Sequence, residues 1–495
     1  MTKNWMRQLA EHYERTRRLH PEQDLLVLFD IDGTIVDVRQ MILSVLHGYD
    51  RAHQSRWFRA LRPDQVPGHE KDVGRLFESL RLSPQTVESV LAWYEAQRWS
   101  ARSLLEAHRP YHGVLEVIRW FQLQPRTSVG INSGRAESLR HETLRILNSL
   151  GREYRVPFAS SLLHMNPEGE RQDVAEAKVE GVRHFQERGY HVVAFVDDEA
   201  ENLRAVAQAD PNGDILLLHA ATIFASRRTR VPARAVRGDS YDLTELIGEQ
   251  SLPQHIQFVW RGVNDEANLR QFLGSHIHWA ELDVQLDPAS RGLVLRQDSL
   301  LERPLEDNEE LLGLDHVLAV LRDHGSGVVL DLRPGLACVA DVLQSVDRHG
   351  FEDRQLWFRG DLETVQQEGF EEIVRQRPEA TVECPIDFLA PLIQAAPAQA
   401  KGILDMLHDW GINRYGIRWA TPASRLVFDR MDEWGFRVNI DAVHGLEGFL
   451  QAALLLPRAI TSDFNFPKWH YFGLGAGGPK QGRRYFEGEN PLRQA

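Results

Sequence analysis

The sequence predicts an α/β protein in two parts, an open sheet of parallel strands carrying an all-helical insertion and, after it, a (β/α) barrel. Three observations predict this. Short apolar runs that end in polar, chemistry-bearing residues recur in the first half, at Leu26 to Phe29, Arg126 to Ile131 and His191 to Val196. Between the first two, from Arg39 to about Gln124, apolar residues recur at helical spacing: Trp57, Phe58 and Leu61, then Val73, Leu76, Phe77 and Leu80, then Val90, Leu91, Trp93 and Tyr94. From about Gln257 onward, strand-like runs alternate with helical or loop stretches, the rhythm of a (β/α) barrel.

The first strand runs straight into Asp30-Ile31-Asp32-Gly33-Thr34. Positions i and i+2 of a strand share a face, so Asp30 and Asp32 can address one reacting group. Gly33 allows a sharp turn after them, at the carboxyl edge where open α/β sheets place their ligands. The second strand ends in Asn132-Ser133-Gly134-Arg135, where the Ser133 hydroxyl can donate to a phosphoryl oxygen. Lys178 opens the helical run Val179 to Arg188 and supplies a cation. The third strand ends in Asp197-Asp198-Glu199, and two adjacent buried carboxylates repel unless a hard divalent ion sits between them.

In that order these four elements resemble the motifs of the haloacid dehalogenase (HAD) superfamily, whose commonest members are magnesium-dependent phosphatases. The resemblance implies a Rossmann-like domain with an all-helical cap. It implies that Asp30 is the nucleophile that becomes an aspartyl-phosphate and that Asp32 is the acid/base. Magnesium (Mg2+) would be held by Asp30, by the backbone carbonyl of Asp32 and by Asp197 or Asp198, with Ser133 and Lys178 steadying the phosphoryl oxygens. Asn202 departs from the pattern, standing where many members carry another carboxylate. The cap would occupy residues 39–124, the core 24–38 and 125–245, and the domain 1–245. His53, Arg56, Arg59, His69 and Lys71 are candidate cap contacts to the distal part of a substrate.

Composition frames the rest. The chain has 495 residues, 42% hydrophobic and 26% charged, enough for two or three globular domains. Its two cysteines, Cys338 and Cys384, are far apart, which excludes a disulfide framework and a cysteine-based zinc site. Trp5, Leu9 and Tyr13 are spaced for an amphipathic helix that could dock on its own domain or on a partner. With no apolar core for a signal peptide and no spanning segment in the sequence, a cytoplasmic location is expected. The net charge of -14 opposes indiscriminate nucleic-acid binding and leaves room for a local basic groove. No P-loop pattern is present, which argues against a kinase or ATPase.

The second part, residues 246–495, follows a polar connection after the basic run Arg227 to Arg230. Its predicted strands are Ile256 to Trp260, His278 to Val284, Gly292 to Leu295, Gly327 to Leu332, Arg354 to Phe358, Ala380 to Glu383, Arg414 to Trp419, Phe436 to Ile440 and Ala459 to Ser462. Arginines and carboxylates gather at the strand ends, where such barrels place function: Arg261, Arg296, Arg333, Arg359 and Arg418 with Glu281, Asp283, Asp331, Glu383, Asp441 and Asp463. The blocks Glu281-Leu282-Asp283-Val284, Arg296-Gln297-Asp298, Asp331-Leu332-Arg333 and Ile460-Thr461-Ser462-Asp463 resemble the glycerophosphodiester phosphodiesterase superfamily. Trp260-Arg261-Gly262-Val263-Asn264 is similar to its menorin-like branch, with Asn264 a few residues past the strand. The resemblance implies a TIM-like barrel. At the two positions of the acid/base histidines, this chain carries Trp260 or Arg261 and Gln297.

Two readings of the barrel follow. In one it cuts a phosphodiester with Glu281, Asp283 and Glu383 as metal ligands and passes the monoester to the first domain. In the other, the favoured one, arginine forks grip an anionic ligand without catalysis. His276, His278, His444 and His470 are alternative acid/base groups, and Gly473 to Gly478 reads as a flexible or substrate-covering segment. The expected whole is a two-domain phosphohydrolase for a phosphorylated small molecule, with no membrane partner. The alternatives are a nucleic-acid end-processing phosphatase and a ligand-binding scaffold with a non-catalytic barrel.

Overall fold

The computed structural model describes residues 4–66, 73–80, 82–98, 108–169, 172–222, 230–248, 251–287, 290–300, 302–303, 305, 310–332, 339–464, 466 and 468–469. Arg333, His69, Lys71, Cys338, His470, the run 227–229 and the glycine-rich 473–478 lie outside them. The chain divides into two compact units, Met1–Gly248 and Glu249–Ala495. Among the described residues no helix is long and apolar enough to cross a membrane.

The first unit is built on six parallel strands: β1 (Asp24–Phe29), β2 (Thr127–Ala136), β3 (Leu163–Asn166), β4 (Tyr190–Asp197), β5 (Leu216–Ala220) and β6 (Val236–Gly238). Their order is β3-β2-β1-β4-β5-β6. The chain fills one side of β1 with β2 and β3 and then crosses to the other side with β4. Strand order therefore reverses at β1, and the crevice at its carboxyl end is the position at which open α/β sheets hold ligands. Leu25 to Phe29 are all buried, as a central strand covered on both faces requires.

Helix α1 (Trp5–Leu19) docks on its own unit. The Trp5 indole donates to the Ser240 carbonyl at 2.6 Å, and the Tyr13 hydroxyl meets Thr127 Oγ1 at 2.8 Å. After β1, helices α2 (Val38–His53), α3 (Val73–Ser79) and α4 (Pro84–Gln97) enclose an apolar cluster of their own, including Met41, Ile42, Leu46, Phe58, Phe77 and Tyr94. Two chain crossings join this insertion to the sheet unit. Asp37 N–H donates to the Arg109 carbonyl at 2.8 Å, and Tyr111 N–H to the Ile35 carbonyl at 2.9 Å. Helix α5 (Val114–Gln122), which helical periodicity alone assigns to the insertion, instead packs on the sheet unit: Trp120 and Phe121 meet the Tyr13 ring edge-on. Periodicity reports that a segment is helical and not which core it covers. Helices α6 (Arg140–Gly151), α7 (Val174–Glu187) and α8 (Ala200–Ala209) complete the layers.

In the second unit eight parallel strands close on themselves: β7 (Gln257–Trp260), β8 (Trp279–Leu286), β11 (Gly327–Leu332), β12 (Leu356–Arg359), β13 (Thr381–Pro385), β14 (Arg414–Arg418), β15 (Val438–Val443) and β16 (Ala459–Ser462), with β7 pairing both β16 and β8. The predicted strand Gly292 to Leu295 is not a stave of this wall. It forms β9 (Leu293–Leu295), which pairs antiparallel with β8 and with β10 (Leu312–Gly313). Its short apolar run matches a stave in composition, but it returns after a short connection, and a parallel crossover needs a dozen residues or more.

Candidate functional sites

Each candidate site lies at the carboxyl end of its sheet. In the first unit, Asp30 follows directly on β1, its N–H donating to the Val196 carbonyl of β4 at 2.9 Å. Lys178 lies in the second turn of α7, a helix that starts earlier than the sequence suggests because Asp173 caps Ala175 N–H at 2.8 Å. Its side chain is 1% exposed, and its Nζ reaches Asp30 Oδ1 at 2.5 Å, the Asn132 carbonyl at 2.6 Å and Asp197 Oδ2 at 3.1 Å. Oxygens of Asp30, Asp197 and Asp198 lie within 4.8 Å of one another.

The two adjacent aspartates have different surroundings. Asp197 accepts from Glu199 N–H at 2.8 Å and from the Asn202 amide at 3.0 and 3.1 Å, so the residue that breaks the acidic pattern serves as a donor to it. Asp198 lies against Gly33, where a Cβ would come 2.1 Å from its Oδ2, and Gly33 has a φ of +82°. Gly33→Ala is therefore expected to fail twice, through left-handed strain of about 1–2 kcal/mol and through displacement of the Asp198 carboxylate. Divalent-ion binding measured by calorimetry should be lost even where the variant folds.

Electrostatics fit a cation. Burial pushes the Asp30 carboxyl up to about 7, reinforced by Asp197 and Asp32 and opposed by Lys178. Asp198 is raised well above the carboxylate range by burial, then by Asp197 and Asp30. One ammonium does not offset three carboxylates, of which Asp30 and Asp197 are buried and Asp198 half-buried. Hard oxygen donors in this number suit Mg2+ or a similar ion.

Asp32 behaves differently. Burial alone would raise it, but the Arg135 guanidinium outweighs burial and holds it below the usual carboxylate range. Arg135 Nε and Nη2 each meet a different Asp32 oxygen at 2.6 Å, a two-pronged pair. Behind it, Arg135 Nη2 lies 3.2 Å from His108 Nε2, next to the crossing that leads back from the helical insertion. Ser133 is 1% exposed, and its Oγ accepts from Arg135 N–H at 3.2 Å. The sequence pattern gives Arg135 no role by itself; the one signal it carries is its place in β2 two residues past Ser133.

In the barrel, neighbouring rungs set Asp283 beside Asp331, Asp331 beside Arg359 and Arg359 beside Glu383. Glu281, Asp283 and Asp331 bring oxygens within 4.8 Å of one another. Glu281 Oε1 is buried without a hydrogen-bond partner, as a cation ligand would be, and burial raises its carboxyl well above the ordinary range. Asn264 clamps Asp283, donating to Oδ2 at 2.5 Å and accepting from its N–H at 2.9 Å. Glu383, expected as a metal ligand, is replaced in that cluster by Asp331. It faces Arg359 Nε at 3.4 Å and accepts from the Asn439 amide at 3.2 Å.

The arginines divide. Arg359 is enclosed by carboxylates, reaching Glu281 at 3.1 Å and pairing with Asp441 as well as Glu383. The Arg296 guanidinium donates to the Arg303 carbonyl at 2.6 Å. Arg261 and Arg418 line a pocket of about 330 Å3 with Glu281, Gln297, Arg359, Asp441, Ala442 and His444. Arg418 also lies 3.6 Å from Asp387, and Asp463 lies 3.5 Å from His444. His278 sits at the opposite end of the barrel, its carbonyl accepting from Gly327 at the start of β11, so it cannot serve the mouth, and His276 precedes it in the chain. Ala442 at the rim has a φ of +54°, where the register slips between Ile440 and Val443. Such strain gathers at ligand sites.

Neither a protein-family model nor a curated protein matches the chain. Solved structures do. A HAD-superfamily hydrolase of subfamily IA from Geobacter sulfurreducens is 17% identical with a TM-score of 0.31, covering 46% of this chain and 98% of that one. A phosphodiesterase from Oleispira antarctica, solved with its product sn-glycerol-3-phosphate, is 18% identical with a TM-score of 0.33, covering 43% and 94%. A glycerophosphodiester phosphodiesterase from Agrobacterium tumefaciens is 17% identical with a TM-score of 0.30, covering 42% and 96%. By strand order and closure, a Rossmann-like sheet and a TIM-like barrel stand in one polypeptide.

Proposed function

We propose that the first unit is a magnesium-dependent phosphomonoesterase that acts through an aspartyl-phosphate on Asp30, and that the barrel binds an anionic phosphorylated ligand. The observation that carries the reading is the convergence of Asp30, Lys178, Asp197 and Asp198 at the crevice where strand order reverses. A bound divalent ion, held by Asp30, Asp198 and Asp197, would neutralise the site and the substrate's phosphoryl oxygens. Asp30 attacks phosphorus as the ester P–O bond breaks, and the departing oxygen leaves as the alcohol with a proton relayed by Asp32. Lys178 balances charge on the nucleophile. Asp32 then takes a proton from the water that opens the acyl-phosphate, a base role that suits a carboxylate kept ionised by Arg135.

In the barrel, Glu281 belongs both to the carboxylate cluster with Asp283 and Asp331 and to the pocket lined by Arg261, Arg418 and His444, an arrangement that suits a phosphate bridged to a cation. Enclosure of Arg359 by carboxylates limits the direct grip of arginine on an anion to the rim. The test is phosphate release from a panel of phosphomonoesters, with bis(p-nitrophenyl) phosphate as the diester. Release should require magnesium and cease with EDTA. A magnesium concentration of 100 times Kd should stabilise the first unit by about 2.7 kcal/mol, read as a rise in Tm. No release from any monoester sinks the reading, and diester cleavage lost in Glu281→Gln makes the barrel catalytic.

A further inference from the structure

The cap carries a basic and aromatic surface that the phosphatase reading does not use. Residues 51–62 contain Arg51, His53, Arg56, Arg59 and Arg62 and no acidic residue, in a chain of net charge -14. All five are exposed, and among the described residues none of the four guanidinium groups pairs with a carboxylate. Trp57 stands among them, 42% exposed.

The loop that presents Trp57 is held in shape. Asp50, 7% exposed, accepts from Ser55 Oγ at 2.6 Å, from Trp57 N–H at 3.1 Å and from Phe58 N–H at 2.8 Å. His47 Nε2 lies 3.0 Å from the Phe58 carbonyl. Three rings form a near-parallel column: Tyr49 stacks on His53 at 3.9 Å and 17°, and on Trp57 at 6.1 Å and 25°. Trp93 supports the column edge-on at Tyr49 and at His53. A flat, rigid aromatic column flanked by exposed guanidinium groups matches a base and the phosphates on either side of it.

Distance decides the class of ligand. The patch sits at the end of α2 farthest from the crossing at Asp37, and α2 has 16 residues, about 24 Å of helix. A small phosphorylated metabolite cannot span that length, whereas a strand of several nucleotides can. We propose that this surface binds single-stranded nucleic acid, so that the substrate class of the Asp30 site is a strand bearing a terminal phosphate; the surface stands on its own geometry, and the terminal phosphate rests on the phosphomonoesterase reading.

The test uses the full chain and a fluorescein-labelled twelve-nucleotide oligothymidylate with a terminal phosphate, followed by anisotropy as salt rises. Binding should weaken with a log–log slope of about -2 to -3, as three or four phosphate contacts on a single strand require. Trp57→Ala should weaken binding about tenfold or more. The double variant Arg56→Ser, Arg59→Ser should flatten the slope by about 1.4. Thermal unfolding of each variant guards against a folding defect, and the exposed arginine pair decides if Trp57→Ala does not fold. No salt-dependent binding overturns the proposal, as does binding that both variants leave unchanged. Trp57-dependent capture by phosphatidylserine vesicles, with no binding of the oligonucleotide, overturns it in favour of a membrane surface. Release of phosphate from p-nitrophenyl phosphate by the same preparation separates the readings: release without oligonucleotide binding sinks this surface alone, and binding without release sinks the phosphatase alone.

Discussion

Asp30→Asn is expected to abolish phosphate release from every monoester that the intact chain hydrolyses. Monoester hydrolysis is among the slowest uncatalysed reactions, and an amide is no nucleophile, so the fall should be at least about 10⁴-fold. Folding should survive. Asn is isosteric, and Lys178 keeps the Asn132 carbonyl and Asp197 as partners. The ionised form of Asp30 is already disfavoured, since burial pushes its carboxyl up to about 7. The variant without metal should therefore match or exceed the parent in Tm and gain less from magnesium. Equal turnover in the two chains would move the chemistry away from Asp30.

The second large effect is on stability. Arg359→Met removes the guanidinium enclosed by Glu281, Glu383 and Asp441 while keeping comparable bulk. Three buried carboxylates would lose their shared cation, and breaking a buried pair in this way costs about 3–5 kcal/mol. The loss should depend on pH. Burial already holds Glu383 up to about 7 with Arg359 in place and raises Glu281 well above its ordinary value. Without the guanidinium Glu281 and Glu383 rise further, and Asp441, which Arg359 holds below its ordinary value against burial, rises as well. The native barrel would then keep protons that the unfolded chain has released, so stability falls as pH rises from about 5 to 8. Urea unfolding at pH 5.5 and pH 8, followed on the transition of the second unit, should show the greater loss at pH 8. An equal loss at both would mean that Arg359 acts through packing alone.

The two units differ in how openly their sites are written. In the first, each chemistry-bearing residue ends or follows a strand of recognisable apolar pattern, and parallel strands bring their ends to one edge. Asp30, Ser133, Asp197 and Asp198 were therefore legible, and so was the crevice that gathers them. Lys178 was legible only by its place in the order of motifs. The pairing of Asp32 with Arg135 was not, because residues 103 positions apart meet only when β1 and β2 lie side by side.

In the barrel, strand rhythm and strand-end residue types were readable, including the Asn264 that clamps Asp283. Which carboxylates share a cation was not. That choice depends on strand register, which sets Asp331 level with Asp283 and places Glu383 beyond Arg359. The direction of each arginine was equally hidden: Arg296 turns to a carbonyl, Arg359 is neutralised inside, and Arg261 and Arg418 reach the pocket.

The sequence by itself determined the two α/β folds, the helical insertion and the residues that meet at the end of β1, because periodicity and strand-end composition are local properties. Tertiary structure alone decided the ion pairs, the carboxylate cluster of the barrel and the aromatic column on the cap. The first two depend on register and side-chain direction across strands distant in the chain, where a shift of one residue would put each group on the opposite face, and the column depends on the turn after α2 that brings Trp57 back over Tyr49.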